Sequence, residues 1–228
     1  MAAYVIANIT TVYRMQAESF SLEGMVKMGS RHDNEVSASI DLKWLMDRAR
    51  IHDVLVTYCQ GVDRREWDQL IACYHDDAID THGSFTGGPK DLAAKMQSDH
   101  EHVIFCMHEL SNISIRFMDD DRFAHVESYC VSRKVVDSAE HDPYLRGTGA
   151  VGPVRRTVAC RYVDTFENRP GHGWRILERT VVHESMRIDA DENFIPFDTS
   201  IEVSRRDRSD RLFSTRRATG DRVHTLDT

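Results

Sequence analysis

From residue 41 onward, apolar residues recur at the spacing of an amphipathic helix. Positions three or four apart share one helical face, and here they are Leu42, Leu45, Ala49, Leu55, Tyr58 and Val62. Gly61 weakens the end of this helix, because glycine has the greatest backbone freedom. A second helix is predicted around Trp67, Leu70, Ile71 and Tyr74, and a third, short helix over DLAAKMQSDHEH.

Beyond residue 102 the pattern changes to long runs typical of β-strands, namely VIFCMHELSNISIRF, FAHVESYCVSRKVV, TVACRYVDTFEN and WRILERTVVHESMRI. A short strand and a turn precede them, in DDAIDTHGSFTGGPKD. Helices followed by antiparallel strands predict an α+β fold, in which three N-terminal helices pack on one face of a strongly curved, mostly antiparallel sheet. Such a cone-shaped α+β barrel leaves a cavity for a ligand between the sheet and the helices.

Three regions follow from the same pattern. Residues 1–40 show no sustained period and are predicted to be a loosely ordered N-terminal extension. Residues 41–201 form the predicted catalytic domain, and residues 202–228 form a charged C-terminal tail that we expect to be mobile. The connection 137–156 is rich in Gly and Pro, and loops of this length are often binding loops or lids.

Composition narrows the class of protein. The chain has 228 residues and a formal net charge of −8, without the long basic block expected of a nucleic-acid-binding protein. No apolar run is long enough to span a membrane, and the N-terminus lacks the features of a signal peptide. The five cysteines occur singly in apolar patterns, which favours buried, reduced thiols in a cytoplasmic protein.

Two polar residues lie within the predicted strands. His108 shares a strand face with Ile104, Cys106 and Leu110, where it is either a proton-transfer group or a core histidine bonded to a backbone carbonyl. Arg179 lies between Leu177 and Val181 on its face, and a guanidinium there needs an anionic partner or a polar cavity.

Two more polar residues lie near the end of the first predicted helix. Asp63 either orients and charges His108, or caps the next helix in a capping box with Glu66. Tyr58 either donates from its hydroxyl or packs in the core. The two residues are about 140° apart on an ideal helix, so they converge only if Asp63 has left the regular helix, which Gly61 makes plausible.

These residues occur in motifs that resemble the nuclear transport factor 2-like superfamily, in its SnoaL-like, polyketide-cyclase-like branch. The motifs are YxxxxDRRxW from Tyr58 to Trp67, the YHDDA that follows, and the GWRIxER that ends at Arg179. Within that superfamily, the set of polar residues resembles that of hexachlorocyclohexane dehydrochlorinase and bile acid 7α-dehydratase. Scytalone dehydratase and diarylpropane lyases are similar in fold and strategy.

The resemblance implies a cofactor-independent lyase that acts on a hydrophobic aromatic or polycyclic molecule, by dehydration, a related elimination or deformylation. It implies that His108 removes a proton from carbon, Asp63 holds its other ring nitrogen, Tyr58 donates to a leaving oxygen and Arg179 stabilises negative charge. No cofactor or metal is expected. The expected substrate-binding residues are Trp67, Ile104, Phe105, Leu110, His82 and His183, and His100 and His102 are expected to be solvated surface residues.

Alternative functions remain at this point. An isomerase or cyclase uses the same acid–base pair without a leaving group, and a non-catalytic small subunit of an aromatic-ring dioxygenase shares the fold. Because the strands carry apolar residues on both faces, we also expect a homotrimer or homodimer that buries the outer face of the sheet.

Overall fold

Three helices precede the long strands, in the order that the hydrophobic pattern predicts. The computed structural model describes residues 42–118, 121–190, 198 and 200–219, and the predicted extension 1–40 lies outside these ranges. The described helices are α1 (Leu42–Arg64), α2 (Trp67–Ala72), α3 (Pro89–Asp99) and α4 (Arg211–Thr219). None of the described helices is long and apolar enough to cross a membrane.

The described strands form one curved, open sheet of six strands in the order β2-β1-β6-β5-β4-β3. Their bounds are β1 (Tyr74–His82), β2 (Phe85–Gly87), β3 (Val103–Phe117), β4 (Phe123–Val136), β5 (Val154–Arg169) and β6 (Gly173–Ala190). Neighbouring strands are antiparallel except for β1 and β6, which pair in parallel. The prediction of an α+β fold with a mostly antiparallel sheet is therefore confirmed.

The inner face of α1 packs on the sheet and forms the core. Its fully buried apolar residues are Ile51, Val54, Leu55, Tyr58 and Val62. Leu55, Tyr58 and Val62 belong to the predicted helical face, whereas Leu42, Leu45 and Ala49 of that face are exposed. Val103 and Cys106 at the start of β3 belong to the same core cluster. This packing places the C-terminal end of α1 against the beginning of β3.

The end of α1 is regular, contrary to the expectation that Gly61 would distort it. Arg65 has a φ of +58°, the amide of Glu66 bonds to the Gly61 carbonyl at 2.8 Å, and the amide of Arg65 bonds to the Val62 carbonyl at 3.4 Å. Together these bonds form a Schellman motif, which ends a helix by satisfying its last carbonyls. A Cβ on Gly61 would lie 3.0 Å from the Leu70 amide nitrogen, so glycine there permits α2 to approach α1 closely.

A β-bulge interrupts the alternation of β3 near its start. The pairing with β4 advances by two residues on β3, from Val103 to Phe105, and by one residue on β4. A bulge of this kind shifts the side chains that follow it to the other face. Ile104 is 50% exposed, whereas Cys106 is buried, so the prediction that Ile104 shares the inner face with His108 is wrong.

The C-terminal tail is anchored where it passes the core. Arg206 is 8% exposed and reaches between α1 and β3. Its guanidinium donates to the carbonyl oxygens of Val62, Asp63 and Val103 at 2.8–3.1 Å. The expectation of a mobile tail is therefore wrong for this part of the chain.

Candidate active site

Asp63 and His108 form a buried, doubly bonded pair. The Asp63 Oδ1 lies 2.7 Å from His108 Nδ1, and its Oδ2 accepts the His108 backbone amide at 3.0 Å. Asp63 lies in the last turn of α1 and reaches β3 without leaving the helix. It therefore does not cap α2, whose N-cap is Glu66 without a side-chain cap bond.

The carboxylate sets the protonation of the imidazole. Burial disfavours the charged ring, but the hydrogen bond from Nδ1 to Asp63 and the neighbouring Cys106 together outweigh burial and raise the pKa of His108 to about 10. Because Nδ1 carries the proton shared with Asp63, Nε2 is the nitrogen that titrates. The ring is an acid below this raised pKa and a base above it.

His108 borders a cavity of about 520 Å³ that lies between α3 and the inner face of the sheet. Its apolar walls include Leu92, Met96, Val158, Tyr162 and Val181. Its polar walls include four histidines and the side chains of Lys134, Arg156 and Ser132. The cavity is thus more polar than the hydrophobic cone that the sequence predicts.

The connection between β4 and β5 contributes to the cavity wall. Tyr144 lines the cavity, and Arg156 lies over its ring at 5.3 Å. Arg156 also bonds twice to the buried Asp142, at 2.7 and 2.8 Å. The predicted binding loop 137–156 therefore reaches the cavity, where the Arg156–Asp142 pair holds it.

Three other histidines lie on the cavity wall. His82 and His183 face each other with ring centroids 6.0 Å apart, and burial lowers the pKa of His82 to about 3. His100 is 1% exposed, and burial lowers its pKa to about 2. The expectation that His100 is solvated is wrong, whereas His102 is exposed.

Tyr58 and Arg179 lie next to each other behind the cavity wall. Arg179 is 1% exposed and bonds to both oxygens of Asp164 at 2.7 and 2.8 Å. Its guanidinium lies 4.3 Å from the Tyr58 ring centroid and 4.2 Å from that of Tyr162. Only Tyr162 of this group lines the cavity, so the structure does not place the Tyr58 hydroxyl or Arg179 in contact with a ligand there.

The other predicted lining residues lie elsewhere. Trp67 borders a separate surface groove beside α3, with Arg65 and Gln97. Leu110 is half-buried against the core, Phe105 is half-buried near the bulge, and Ile104 is exposed. None of these four lines the cavity; the bulge turns Ile104 outward, and Trp67 lies on α2, away from the cavity.

Two groups in the described part of the chain bring three potential metal ligands within 4.8 Å of one another. One is the Asp63–His108 pair with Cys106, and the other is His102, Asp137 and His141 on the surface. In the surface group, Asp137 accepts from both imidazoles, whose rings stack with centroids 3.5 Å apart. Hydrogen bonds thus already satisfy both groups.

Arg206 is a site residue that the hydrophobic pattern could not reveal. It bonds to the backbone of Asp63 and of Val103, and its Nη2 lies 3.0 Å from His100 Nδ1. A charged tail residue far along the chain gives no periodic signal, so its burial follows only from the tertiary structure. Arg206 holds the end of α1 and the start of β3 at the spacing that the Asp63–His108 bond requires.

The chain belongs to the SnoaL-like domain family, whose model matches residues 44–180. The sheet, the helices and the described cavity agree with the nuclear transport factor 2-like superfamily to which this family belongs. No curated protein matches the sequence.

Solved structures show the same fold. LinA is 22% identical with a TM-score of 0.56, covering 69% of this chain and 99% of LinA. Hexachlorocyclohexane dehydrochlorinase LinA-type3 from Novosphingobium barchaimii LL02 is 21% identical with a TM-score of 0.55, covering 69% and 99%. The Kfla4162 protein from Kribbella flavida is 15% identical with a TM-score of 0.52, covering 63% and 95%. At these identities the similarity establishes the fold.

Replacing Asp63 with Asn should lower the pKa of His108 by about 1 to 3 pH units, because the amide can accept from Nδ1 but carries no charge. In the wild type, the pair stabilises the fold fully below the unfolded-state pKa of about 6.5, and this contribution is lost as the pH rises through the higher folded-state pKa. Titration of His108 by NMR measures the change. Asp53→Asn removes an exposed carboxylate from α1 and should leave the His108 titration unchanged; an unchanged titration in Asp63→Asn would contradict the assignment.

Arg206→Met should reduce the free energy of unfolding by about 2 to 4 kcal/mol, because it leaves buried carbonyls without their charged donor. Arg208 lies two residues along and forms an exposed ion pair with Glu66. Arg208→Met should therefore reduce stability by less than about 1 kcal/mol. Urea denaturation of both variants makes the comparison, and equal losses would show that Arg206 does not anchor the tail.

Proposed function

We propose that this protein is a cofactor-independent lyase that removes a proton from carbon and expels a neighbouring leaving group. The observation that carries the proposal is the bond between Asp63 and His108 Nδ1, which leaves Nε2 as the titrating nitrogen on the wall of a cavity large enough for a bicyclic molecule. A carboxylate-oriented imidazole is a general base when neutral and a general acid when protonated. Membership of the SnoaL-like family and the shared fold with hexachlorocyclohexane dehydrochlorinase support this class of chemistry.

In the proposed step, the neutral form of His108, whose population grows as the pH rises toward its raised pKa, takes a proton from a substrate carbon on Nε2. The electron pair of that C–H bond forms the new C=C bond, and the leaving group departs with its own bonding pair. Asp63 stabilises the imidazolium that results, through the bond to Nδ1. If the leaving group is an oxygen, the same imidazolium can return the proton to it, so that water is lost and the ring is neutral again.

Other residues support the wall around the reacting group. Tyr162 lines the cavity, and Arg179 and Tyr58 pack against its ring from behind. We propose that Arg179 and Tyr58 act as positioning residues. The resemblance implies more direct roles, with Tyr58 as a proton donor and Arg179 as a stabiliser of negative charge. His82 and His183 remain proposed substrate contacts from the opposite strands.

We also propose that copies of the chain associate through the outer face of the sheet. Exposed apolar side chains lie there on neighbouring strands, including Met107, Tyr129 and Val163. Their burial would remove apolar surface from water and stabilise an oligomer. Sedimentation velocity should give the mass of a homodimer or homotrimer, and Tyr129→Lys should shift it toward the monomer; a monomeric wild type would contradict this proposal.

His108→Ala should reduce elimination activity by about 10²- to 10⁴-fold, because no other group on the wall has the bond to Asp63. His102→Ala is the matched control, since His102 is exposed and outside the cavity, and it should retain full activity. Mass spectrometry of the products from chlorinated and hydroxylated cyclic substrates identifies the lost group. Full activity in His108→Ala would disprove the mechanism, and a product of unchanged mass would assign the protein to the isomerases.

A further inference from the structure

Lys134 differs from every other charged side chain on the cavity wall. The others have an oppositely charged partner among the described residues: Lys95 with Asp99 at 2.6 Å, Arg156 with Asp142 at 2.7 Å, His108 with Asp63 at 2.7 Å, and Glu184 with Arg161 at 2.7 Å. Within the same ranges, Lys134 has no carboxylate within ion-pair distance, and its Nζ contacts only His100 Nε2, at 3.3 Å.

The contact with His100 cannot balance the charge of Lys134. Arg206 has no acceptor atoms, so it must donate to His100 Nδ1, and burial keeps this ring neutral. The ring proton is then on Nε2, which offers the Lys134 ammonium no acceptor. Arg206 itself bonds to backbone carbonyls and not to a carboxylate in the described structure. Two cations therefore flank one neutral imidazole at this end of the cavity.

Burial disfavours this excess of positive charge. Burial lowers the pKa of Lys134 and outweighs the opposing effect of Cys106; the nearby Arg156 and Arg206 lower the pKa further, and Asp99 raises it. An anion at Nζ would replace the lost hydration of the ammonium and offset the repulsion between the cations. The excess of positive charge thus predicts that the ligand is negatively charged.

Lys134 also lies on the same wall as His108. Across β3 and β4, Ser132 pairs with His108 and Lys134 pairs with Cys106. Alternate residues of a strand share a face, and Ser132, Lys134 and His108 all border the cavity. A molecule held at Lys134 would therefore extend past the titrating nitrogen of His108.

We propose that the ligand of this cavity carries an acidic oxygen, a carboxylate or an ionised phenol, and that this oxygen binds Lys134. That this ligand is the substrate rests on the proposed function. Its binding to Lys134 does not require turnover. The inference narrows the substrate from a hydrophobic ring compound to one with an anionic group placed to leave its reacting carbon near His108.

Calorimetric binding of 2-naphthoate, with 2-naphthamide as its uncharged counterpart, tests the proposal in the full chain. Lys134→Gln should weaken 2-naphthoate binding about tenfold or more, because it removes a charge-assisted hydrogen bond. Lys134→Arg keeps the charge and should largely restore binding. Lys95→Gln is the matched control, since Lys95 borders the same cavity but pairs with Asp99, and it should change affinity less than about twofold.

The outcomes separate the possibilities. If Lys134→Gln weakens the binding of 4-nitrophenolate more than that of 2-naphthoate, the phenolate is the preferred anion, and this result would support the proposal. Equal binding of 2-naphthoate and 2-naphthamide, equal affinity in wild type and Lys134→Gln at matched melting temperature, or no binding of either anion would overturn it. Anion binding that depends on Lys134 in a protein without elimination activity would sustain this inference and refute the proposed function.

Discussion

The bond between Asp63 and His108 depends on holding the end of a helix against the start of a strand. Asp63 occupies the last turn of α1, and His108 follows the bulge in β3. The Schellman motif at Arg65 ends the helix just beyond Asp63, and Gly61 lets α2 pack closely on that turn. Arg206 then bonds to both segments from the tail. The cavity wall at His108 depends on this junction. The Asp63–His108 pair and the proposed proton transfer depend on it as well.

The interior has one region in which the buried cation is paired with a carboxylate and another in which it is not. Behind the wall, Arg179 bonds to both oxygens of Asp164 and lies over the faces of Tyr58 and Tyr162, while its Nη1 has no hydrogen-bond partner among the described residues. Because Asp164 and Asp80 lie opposite Arg179 on the strands at either side of β6, this cluster is built into the register of the sheet. Such a network rigidifies the wall, and Asp164 pairs with the charge of Arg179. Lys134, within the cavity, has no such anionic partner in the part of the chain that the structure describes.

The sequence predicts the fold class and the pairing of Asp63 with His108 because both depend on local patterns and on motif order. Helical spacing identifies the buried face in the second half of α1 but also assigns the exposed Leu42 and Leu45 to it. The SnoaL-like motifs bring the aspartate and the histidine to one site. Strand alternation fails at Ile104, since a single inserted residue reverses the side chains and leaves little trace in the hydrophobic pattern. Lys134 and Arg206 also escape prediction, because a long cation within an apolar strand or a charged tail resembles a solvated residue until its partners are known.

The most direct test of the central claim is a ¹⁵N NMR titration of wild-type protein with labelled histidine, followed at both ring nitrogens of His108. If the Asp63 carboxylate holds Nδ1–H, Nδ1 remains protonated across the titration, and Nε2 alone loses its proton as the pH rises through the raised pKa. Loss of the proton from Nδ1, with Nε2 still protonated at high pH, would mean that Asp63 does not orient the ring. His108 would then lack the free nitrogen that the proposed chemistry needs.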